Sequence, residues 1–332
     1  MENEEGILVK NMYNAPLENI GFYTLFDSRI TNPQYDWYRV EIILTGRCNF
    51  NCPYCRHIGG EDIDYNSLTR FISKNLYSTF AIRFSGGEPT LYKELPELIA
   101  YSVLCGIPKI AISTNGYSNI KYYKELIRYG VNDISISLDA CCASDAQEMS
   151  GGISDAFGRV SSNIKELSRL TYVTVGVVLN EKNQERFKDI VEYAHSLGVS
   201  DIRVVPASQN SDRLQDITIR DEILQKHSIL RYRYNNMKDG IPIRGLIDDF
   251  PQRCGLVLDD MAIMGNKHYP CIIHMREGGN PIGSIDGDIK RDRQNWYCNH
   301  NIQEDEICKN NCLDVCLLYN LKYANYNTNT PY

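Results

Sequence analysis

Six short apolar runs alternate with amphipathic segments between residues 37 and 206, and this alternation most constrains the fold. Several amphipathic segments have helical periodicity and stop at a glycine (Gly106, Gly130 and Gly198), a common C-terminal signal of a helix. Repeated strand–helix units predict an α/β protein, a partial (β/α)6 TIM-like barrel whose loops at the C-terminal strand ends build the functional site. The predicted strands are residues 37–44, 81–85, 109–116, 133–139, 173–180 and 202–206, and the predicted helices are residues 65–77, 94–105, 120–130, 155–170 and 185–197.

Three cysteines, Cys48, Cys52 and Cys55, follow the first predicted strand, and together they occupy a span of eight residues. Thiolates are the usual ligands of iron–sulfur clusters, and a 4Fe-4S cube held by protein alone takes four of them. Because the next cysteine is Cys105, this loop predicts a cluster with one iron open to a ligand that is not protein. A zinc knuckle and free buried thiols are the alternatives, but a structural zinc site usually draws two close cysteine pairs.

The second predicted strand ends in the sequence Gly86-Gly87-Glu88-Pro89. Glycine lets backbone approach a ligand closely, and a glutamate can accept a hydrogen bond from a cationic amine. Together with the three-cysteine loop, this segment resembles the radical S-adenosylmethionine (radical SAM) superfamily. The resemblance implies that S-adenosylmethionine chelates the open iron of a 4Fe-4S cluster. It further implies that Cys48, Cys52 and Cys55 hold the cluster, that Gly86, Gly87, Glu88 and Pro89 bind the cofactor amine, and that Tyr54 packs near the adenine.

Later strand ends continue the resemblance, which spans residues 38–206. It implies polar contacts to the cofactor from Ser113, Asn115, Ser137 and Asp139, and a backbone contact to adenine from Val205. Many members carry an arginine soon after the fourth strand to bind the cofactor carboxylate. This chain instead has Met-Ser-Gly-Gly at residues 149–152, and Arg159 is the candidate substitute.

The last third of the chain holds six of its twelve cysteines. Residues 257–270 read as a hairpin with its turn at Gly265-Asn266, which would bring Cys254 and Cys271 together. Three-residue gaps would place Cys308, Cys312 and Cys316 on one helix face. The region resembles the auxiliary-cluster extensions called SPASM or twitch domains, although the full SPASM pattern has seven cysteines. We expect one auxiliary 4Fe-4S cluster, bound by Cys254, Cys271 and two of Cys308, Cys312 and Cys316.

Several other residues receive simpler expectations. Three roles fit Cys298: a cluster ligand, a thiol with no function in the site, and a redox-active thiol. Isolated cysteines are most often buried small side chains, which we expect of Cys105, Cys141 and Cys142. Residues 208–212 read as a turn, 219–237 as a helix and 323–332 as a loosely ordered tail, with a lid over the site as the alternative. Clusters prefer thiolate, so we expect ordinary polar surface or loop residues at His268, His274 and His300.

Length and charge narrow the class of protein. A length of 332 residues allows one large domain plus a smaller one, and 43% hydrophobic residues can form a core. The resemblance then implies an extension (1–37), a radical SAM core (38–240), an auxiliary-cluster domain (241–322) and a tail (323–332). A formal charge of -7 makes nucleic acid an unlikely main partner, since phosphate binding favours basic proteins. The sequence lacks a signal-peptide pattern and an apolar run of the ~18 residues that span a bilayer, so we expect a cytoplasmic protein.

Three functions fit these patterns. The first is radical modification of a peptide by crosslinking, epimerisation or oxidation, which members with auxiliary clusters often perform. The second is oxidation or rearrangement of a small molecule such as a sugar or nucleoside. Only about 37 residues precede the first strand, too few for the leader-binding module of many peptide modifiers. The third is non-catalytic electron transfer, but a protein with that function would not need Gly86, Gly87 and Glu88.

An enzyme of either kind would take electrons from a flavodoxin or ferredoxin. The sequence identifies no residue as a general acid or base.

Overall fold

The core of the protein is a nine-stranded sheet. A computed structural model describes residues 34–75, 78–207, 218–247 and 250–329. Its spatial order is β6-β5-β4-β3-β2-β1-β7-β8-β9. The first six strands are parallel and neighbour one another in chain order, which confirms the predicted α/β architecture. The strands are β1 (Arg39–Ile43), β2 (Ala81–Ser85), β3 (Lys109–Thr114), β4 (Asp133–Ser137), β5 (Tyr172–Leu179), β6 (Asp201–Pro206), β7 (Asp260–Met264), β8 (Lys267–Tyr269) and β9 (Gly283–Ser284).

Helices connect the parallel strands, and the five predicted between residues 65 and 197 are confirmed, with ends that differ by a few residues. One of them stops at Gly130, whose φ of +128° suits glycine. A further helix after β4 was not predicted. The helices are α1 (Tyr65–Asn75), α2 (Leu95–Leu104), α3 (Ile120–Tyr129), α4 (Ala143–Met149), α5 (Ala156–Leu167), α6 (Phe187–Ser196), α7 (Asp221–Lys226), α8 (Ser228–Lys238), α9 (Ile272–Arg276), α10 (Ile289–Asn299), α11 (Glu306–Asn311) and α12 (Asp314–Asn329). No helix in these described ranges is long and apolar enough to cross a bilayer.

In β1, apolar and polar side chains alternate, although all five are buried. In β1, Val40 and Ile42 join the main hydrophobic core, whereas Arg39 and Glu41 line a cavity. Successive side chains of a strand point to opposite faces, so one face packs on helices and the other faces this cavity. Residues from each of the strands β1 to β7 line this cavity. The sheet must therefore curve around the cavity as an open barrel.

The C-terminal region continues the sheet on the other side of β1. β7 pairs with β1 in parallel, and β8 returns antiparallel to β7. Gly265, with φ +58°, lies in the connecting turn, so the predicted hairpin is confirmed. In the first register pair, Arg39 and Asp260 form a bidentate ion pair, with both nitrogen–oxygen distances 2.8 Å. The sheet therefore contains strands from both sides of residue 240, where the sequence predicts a domain boundary. The division into domains stays a prediction.

Three predictions about the later chain differ from the structure. The helix over 219–237 is divided, because His227 adopts an extended conformation (φ -109°, ψ 95°) between α7 and α8. Cys308, Cys312 and Cys316 do not share one helix, because the backbone leaves α11 at Cys312, with ψ 136°, before α12 begins. The tail is helical to Asn329. Residues 1–33, the turn at 208–212 and residues 330–332 lie outside the described residues.

Arg293 holds the C-terminal hairpin to the helices that follow it. Its side chain is fully buried and donates to the backbone carbonyls of Val257 (2.6 Å), Tyr269 (2.9 Å) and Pro270 (2.8 Å), and to that of Asp260. One guanidinium thus satisfies carbonyls from both sides of the hairpin. Buried carbonyls without a donor would each cost about 1–3 kcal/mol.

We predict that Arg293→Met, which keeps most of the side-chain volume but has no donor, lowers the melting temperature by at least about 5 °C. The measurement is thermal unfolding of anaerobically purified protein followed by circular dichroism. Arg291→Met is the matched control, because Arg291 lies on the same helix with its side chain 68% exposed. Equal melting temperatures for the two variants would show that Arg293 does not stabilise this region.

Candidate functional site

The thiols of Cys48, Cys52 and Cys55 line a cavity of about 380 Å³ inside the curved sheet. Backbone N–H groups donate to two of them, from Phe50 to Cys48 (3.4 Å) and from His57 to Cys55 (3.3 Å). Burial, together with the negative charges of Asp139 and the two other thiolates, raises the pKa of Cys52 to about 12. Bound iron would offset this repulsion, so the donor set fits an iron–sulfur cluster.

The cysteine loop is held in place by residues 149–152, the segment that stands where many family members carry an arginine. The Asn51 N–H donates to the Ser150 carbonyl at 2.9 Å. Gly151, with φ +80°, packs so closely that a Cβ there would lie 2.4 Å from the Asn51 carbonyl oxygen. Residues 149–152 therefore brace the loop. Arg159, the candidate substitute, lies outside the cavity lining, with its guanidinium 4.5 Å from the centroid of the Tyr117 ring.

Gly86 and Gly87 line the cavity and also contact the start of the cysteine loop. A Cβ on Gly86 would lie 2.5 Å from the Thr45 carbonyl oxygen, and one on Gly87 would lie 2.3 Å from that of Arg47. The Gly87 N–H donates to the Thr45 carbonyl at 2.8 Å. The absence of side chains is thus required by contact between two loops, in addition to any ligand.

The Glu88 carboxylate does not face the cavity. It is fully buried, and its oxygens accept hydrogen bonds from Thr90 N–H (3.1 Å), Thr90 Oγ1 (2.7 Å), Thr114 Oγ1 (2.7 Å) and Asn115 N–H (2.8 Å). Glu88 thus joins the ends of β2 and β3. A carboxylate oxygen can accept more than one hydrogen bond, so the amine-accepting role expected from the sequence stays a prediction. Pro89 is buried, begins a short 3-10 turn (Pro89–Leu91) and is not among the lining residues.

The other candidate cofactor residues converge on the cavity: Tyr54, Ser113, Asn115, Ser137, Asp139 and Val205 line it. The Tyr54 hydroxyl donates to Asp139, and the Val178 N–H donates to its other oxygen at 2.6 Å. Burial raises the pKa of Asp139 to about 6. The Asn115 side chain donates to Asn49 of the cysteine loop at 2.7 Å. These strand ends, predicted separately, therefore form one site.

Sequence reasoning missed the arginines of the cavity. Each of three strands carries one among otherwise apolar neighbours, which was the available signal. A charged residue at an alternate position of a buried parallel strand marks the face that lines a cavity. The lining arginines are Arg39, Arg56, Arg83, Arg203, Arg244 and Arg276.

Five of the six C-terminal cysteines lie near one another. Burial, together with the charge of the neighbouring Cys316, raises the pKa of Cys254 to about 11. Burial and the charges of Cys271 and Cys254 likewise raise the pKa of Cys308. Cys312 is hydrogen-bonded to Cys316. Cys298 is exposed and contacts only Gln294 among the hydrogen-bond partners described. The five thiols are enough for a cluster, and Cys271 and Cys316 also line the central cavity.

The expectation for the histidines and isolated cysteines holds only in part. His268 lies in β8 and His274 in α9, and both are buried, so the expectation of surface or loop positions was wrong for these two. His274 lies 3.1 Å from Asp305, and these two residues group with Cys308 at distances suited to a metal ion. His300 is partly exposed. Cys105 is buried as expected, whereas Cys141 and Cys142 are only half-buried.

Comparison with known proteins finds a family match for part of the chain. Residues 42–205 match the model of the Radical SAM superfamily. A relative from Metallosphaera sedula, described as "Probable GTP 3',8-cyclase", is 27% identical over 218 residues. That alignment covers 58% of this chain and 68% of the relative.

Two solved structures share the fold. Streptococcus suis SuiB bound to S-adenosylmethionine has a TM-score of 0.54 and 16% identity, covering 92% of this chain and 76% of SuiB. The protein anSMEcpe with bound AdoMet and Kp18Cys peptide has a TM-score of 0.55 and 12% identity, covering 88% and 99%. At these identities the likeness establishes the fold alone.

We predict that Glu88→Gln destabilises the protein by about 1–3 kcal/mol, because the amide nitrogen of glutamine cannot accept the hydrogen bonds that an oxygen of Glu88 receives. Urea unfolding under anaerobic conditions measures the loss. Glu94→Gln, outside this network, is the control. Unchanged stability together with lost affinity for S-adenosylmethionine would support the amine-binding role expected from the sequence.

Proposed function

We propose that this protein is a radical SAM enzyme that abstracts a hydrogen atom from a substrate held in the central cavity. The convergence of Cys48, Cys52, Cys55, Gly86 and Gly87 on one enclosed space supports this proposal. A protein that only transferred electrons would need the thiols, but it would not need a polar cavity in front of them.

The residues of the chain divide the work. Cys48, Cys52 and Cys55 would hold the 4Fe-4S cluster, and Gly86 and Gly87 would leave space for S-adenosylmethionine. When bound, cluster and cofactor would supply hydrogen-atom abstraction after one-electron reduction, for which a flavodoxin or ferredoxin is the proposed donor. Protein positions such a cofactor and excludes competing reactions. Tyr54, held by its hydrogen bond to Asp139, shapes the wall beside Cys52.

A small molecule is the substrate that the site favours. The cavity is enclosed by the curved sheet, and several of its charged residues are fully buried, as in pockets that surround a small ligand. The relatives described as GTP 3',8-cyclases, at 27–29% identity, also support a small substrate. This reverses the order of the two enzyme hypotheses drawn from the sequence.

A peptide substrate is the second candidate. A more open groove of about 620 Å³ lies on the C-terminal region, where Trp296, His300 and Asn295 form part of its lining. Such a groove could hold a segment of peptide outside the central cavity. Crosslinking, epimerisation or oxidation of that peptide would then be the reaction.

The five grouped C-terminal cysteines are proposed to hold an auxiliary 4Fe-4S cluster. Cys254 and Cys271 come from either side of the β7–β8 hairpin, and two of Cys308, Cys312 and Cys316 complete the set. Relationship to SPASM or twitch domains stays a prediction. Because Cys271 and Cys316 reach the central cavity, this cluster would lie close enough to take part in the fate of the substrate.

We predict that reconstituted, reduced protein converts S-adenosylmethionine to 5'-deoxyadenosine and that Cys52→Ala reduces this at least about 100-fold, because the cluster loses a ligand. Anaerobic chromatography measures the product. Cys298→Ala is the matched control, since this thiol is exposed and apart from both groups. Wild-type protein with intact clusters that forms no 5'-deoxyadenosine would exclude the enzyme.

We predict about eight irons per chain in wild-type protein, at four per cube. The double variant Cys254→Ala/Cys271→Ala should retain about four, with 5'-deoxyadenosine formation still measurable. Iron analysis and electron paramagnetic resonance report the two clusters separately. Four irons in the wild type would contradict the auxiliary cluster without affecting the first one.

A further inference from the structure

The central cavity carries more positive than negative side chains. Six arginines line it, against four carboxylic acids, Glu41, Asp139, Asp260 and Glu277. Asp139 is held by Tyr54 and the Val178 N–H, and burial raises its pKa to about 6. The excess of positive charge is therefore a property of the wall that a substrate meets.

Four of these arginines have carboxylate partners. Arg39 is paired with Asp260, Arg56 with Glu277 (2.7 Å) and Arg276 with Glu41 (3.3 Å). Arg83 is paired with Asp133 at 3.1 Å. These ion pairs make the buried charges of the four guanidinium groups compatible with the fold.

Arg203 and Arg244 differ from them, because neither has a carboxylate within 4 Å among the described residues. Arg203 reaches the Ser135 hydroxyl at 3.4 Å, and Arg244 donates to the carbonyls of Pro206 (2.9 Å) and Asn311 (3.4 Å). Glu41 attracts Arg203 and Glu277 attracts Arg244, but each of these carboxylates is paired with another arginine.

The two guanidinium groups are placed along one strand. Arg203 lies within β6, and Arg244 bonds to the carbonyl of Pro206 at the end of that strand. Burial lowers the pKa of each to about 10, so both remain charged at neutral pH. Both residues are partly buried, and a cation withdrawn from water without a carboxylate partner costs free energy, which a bound anion would offset. Guanidinium groups also match carboxylate and phosphate oxygens in geometry.

We propose that Arg203 and Arg244 form a subsite for an anionic group of the substrate, a phosphate or a carboxylate. This rests on the proposed function and adds the substrate class to it. The substrate would enter with its anionic end at β6 and its reacting carbon toward the cavity wall formed by the cysteine loop. The carboxylate of S-adenosylmethionine is an anion of the same chemistry, and the test separates the two sources.

The test measures binding of pyrophosphate and of citrate to anaerobic, cluster-loaded protein by calorimetry, with saturating S-adenosylmethionine present. We expect at least one of these anions to bind, and Arg203→Gln and Arg244→Gln each to weaken it at least about tenfold. Arg203→Lys, which keeps the charge but not the planar fork, should lose less affinity. Arg231→Gln, an exposed arginine on α8, is the matched control and should bind as the wild type does.

Affinity for S-adenosylmethionine is measured on the same variants and should stay within about twofold of the wild type. Loss of cofactor affinity with unchanged anion affinity would overturn the proposal and assign the arginines to the cofactor carboxylate. Absence of anion binding by wild-type protein, or equal binding by the glutamine variants, would also overturn it. Failure of the proposed function is distinct, because it appears as a wild-type protein that forms no 5'-deoxyadenosine. Circular dichroism confirms that each variant is folded.

Discussion

The structure depends on β1 having a parallel partner on both sides. β2 brings the Gly86-Gly87 turn against the loop that follows β1, and β7 brings the hairpin that precedes Cys271. The bidentate ion pair of Arg39 and Asp260 is buried in the second of these contacts, where a low dielectric makes paired charges strong and unpaired ones costly. The cysteines of the first loop, together with Cys271 and Cys316 of the C-terminal group, thereby line one cavity.

Contacts within the cavity wall serve two needs at once. The glycines that leave room for a ligand also allow the backbone of the cysteine loop to approach, and Glu88 joins two strand ends with four accepted hydrogen bonds. Such a site is preorganised, because its loops are fixed before any ligand arrives. Arg203 and Arg244 differ from these loops, because neither guanidinium group has a carboxylate partner among the described residues.

Much of the fold followed from local patterns. Alternating strands and helices, with glycine at helix ends, predict six parallel strands because each signal lies within a few residues of the structure it specifies. The return of residues 260–264 to β1 could not be predicted, since nothing in that run indicates which sheet edge it joins. Three-residue gaps suggested one helix through Cys308, Cys312 and Cys316, but the backbone turns at Cys312 and Leu313 bridges Arg244 instead. The hydrogen bond between Thr114 and Glu88 could not be predicted either, because only the sheet brings these two residues together.

The pairing of β1 with β7 also has a consequence for the order of events during synthesis. Arg39 and Asp260 are 221 residues apart in the chain. At roughly 5–20 residues per second, the ribosome makes this interval in some tens of seconds, during which one edge of β1 has no partner. An unpaired strand edge is open to wrong pairing, and contacts between distant residues form slowly. The loop that carries Cys48 therefore reaches its final surroundings only after the last third of the protein has emerged.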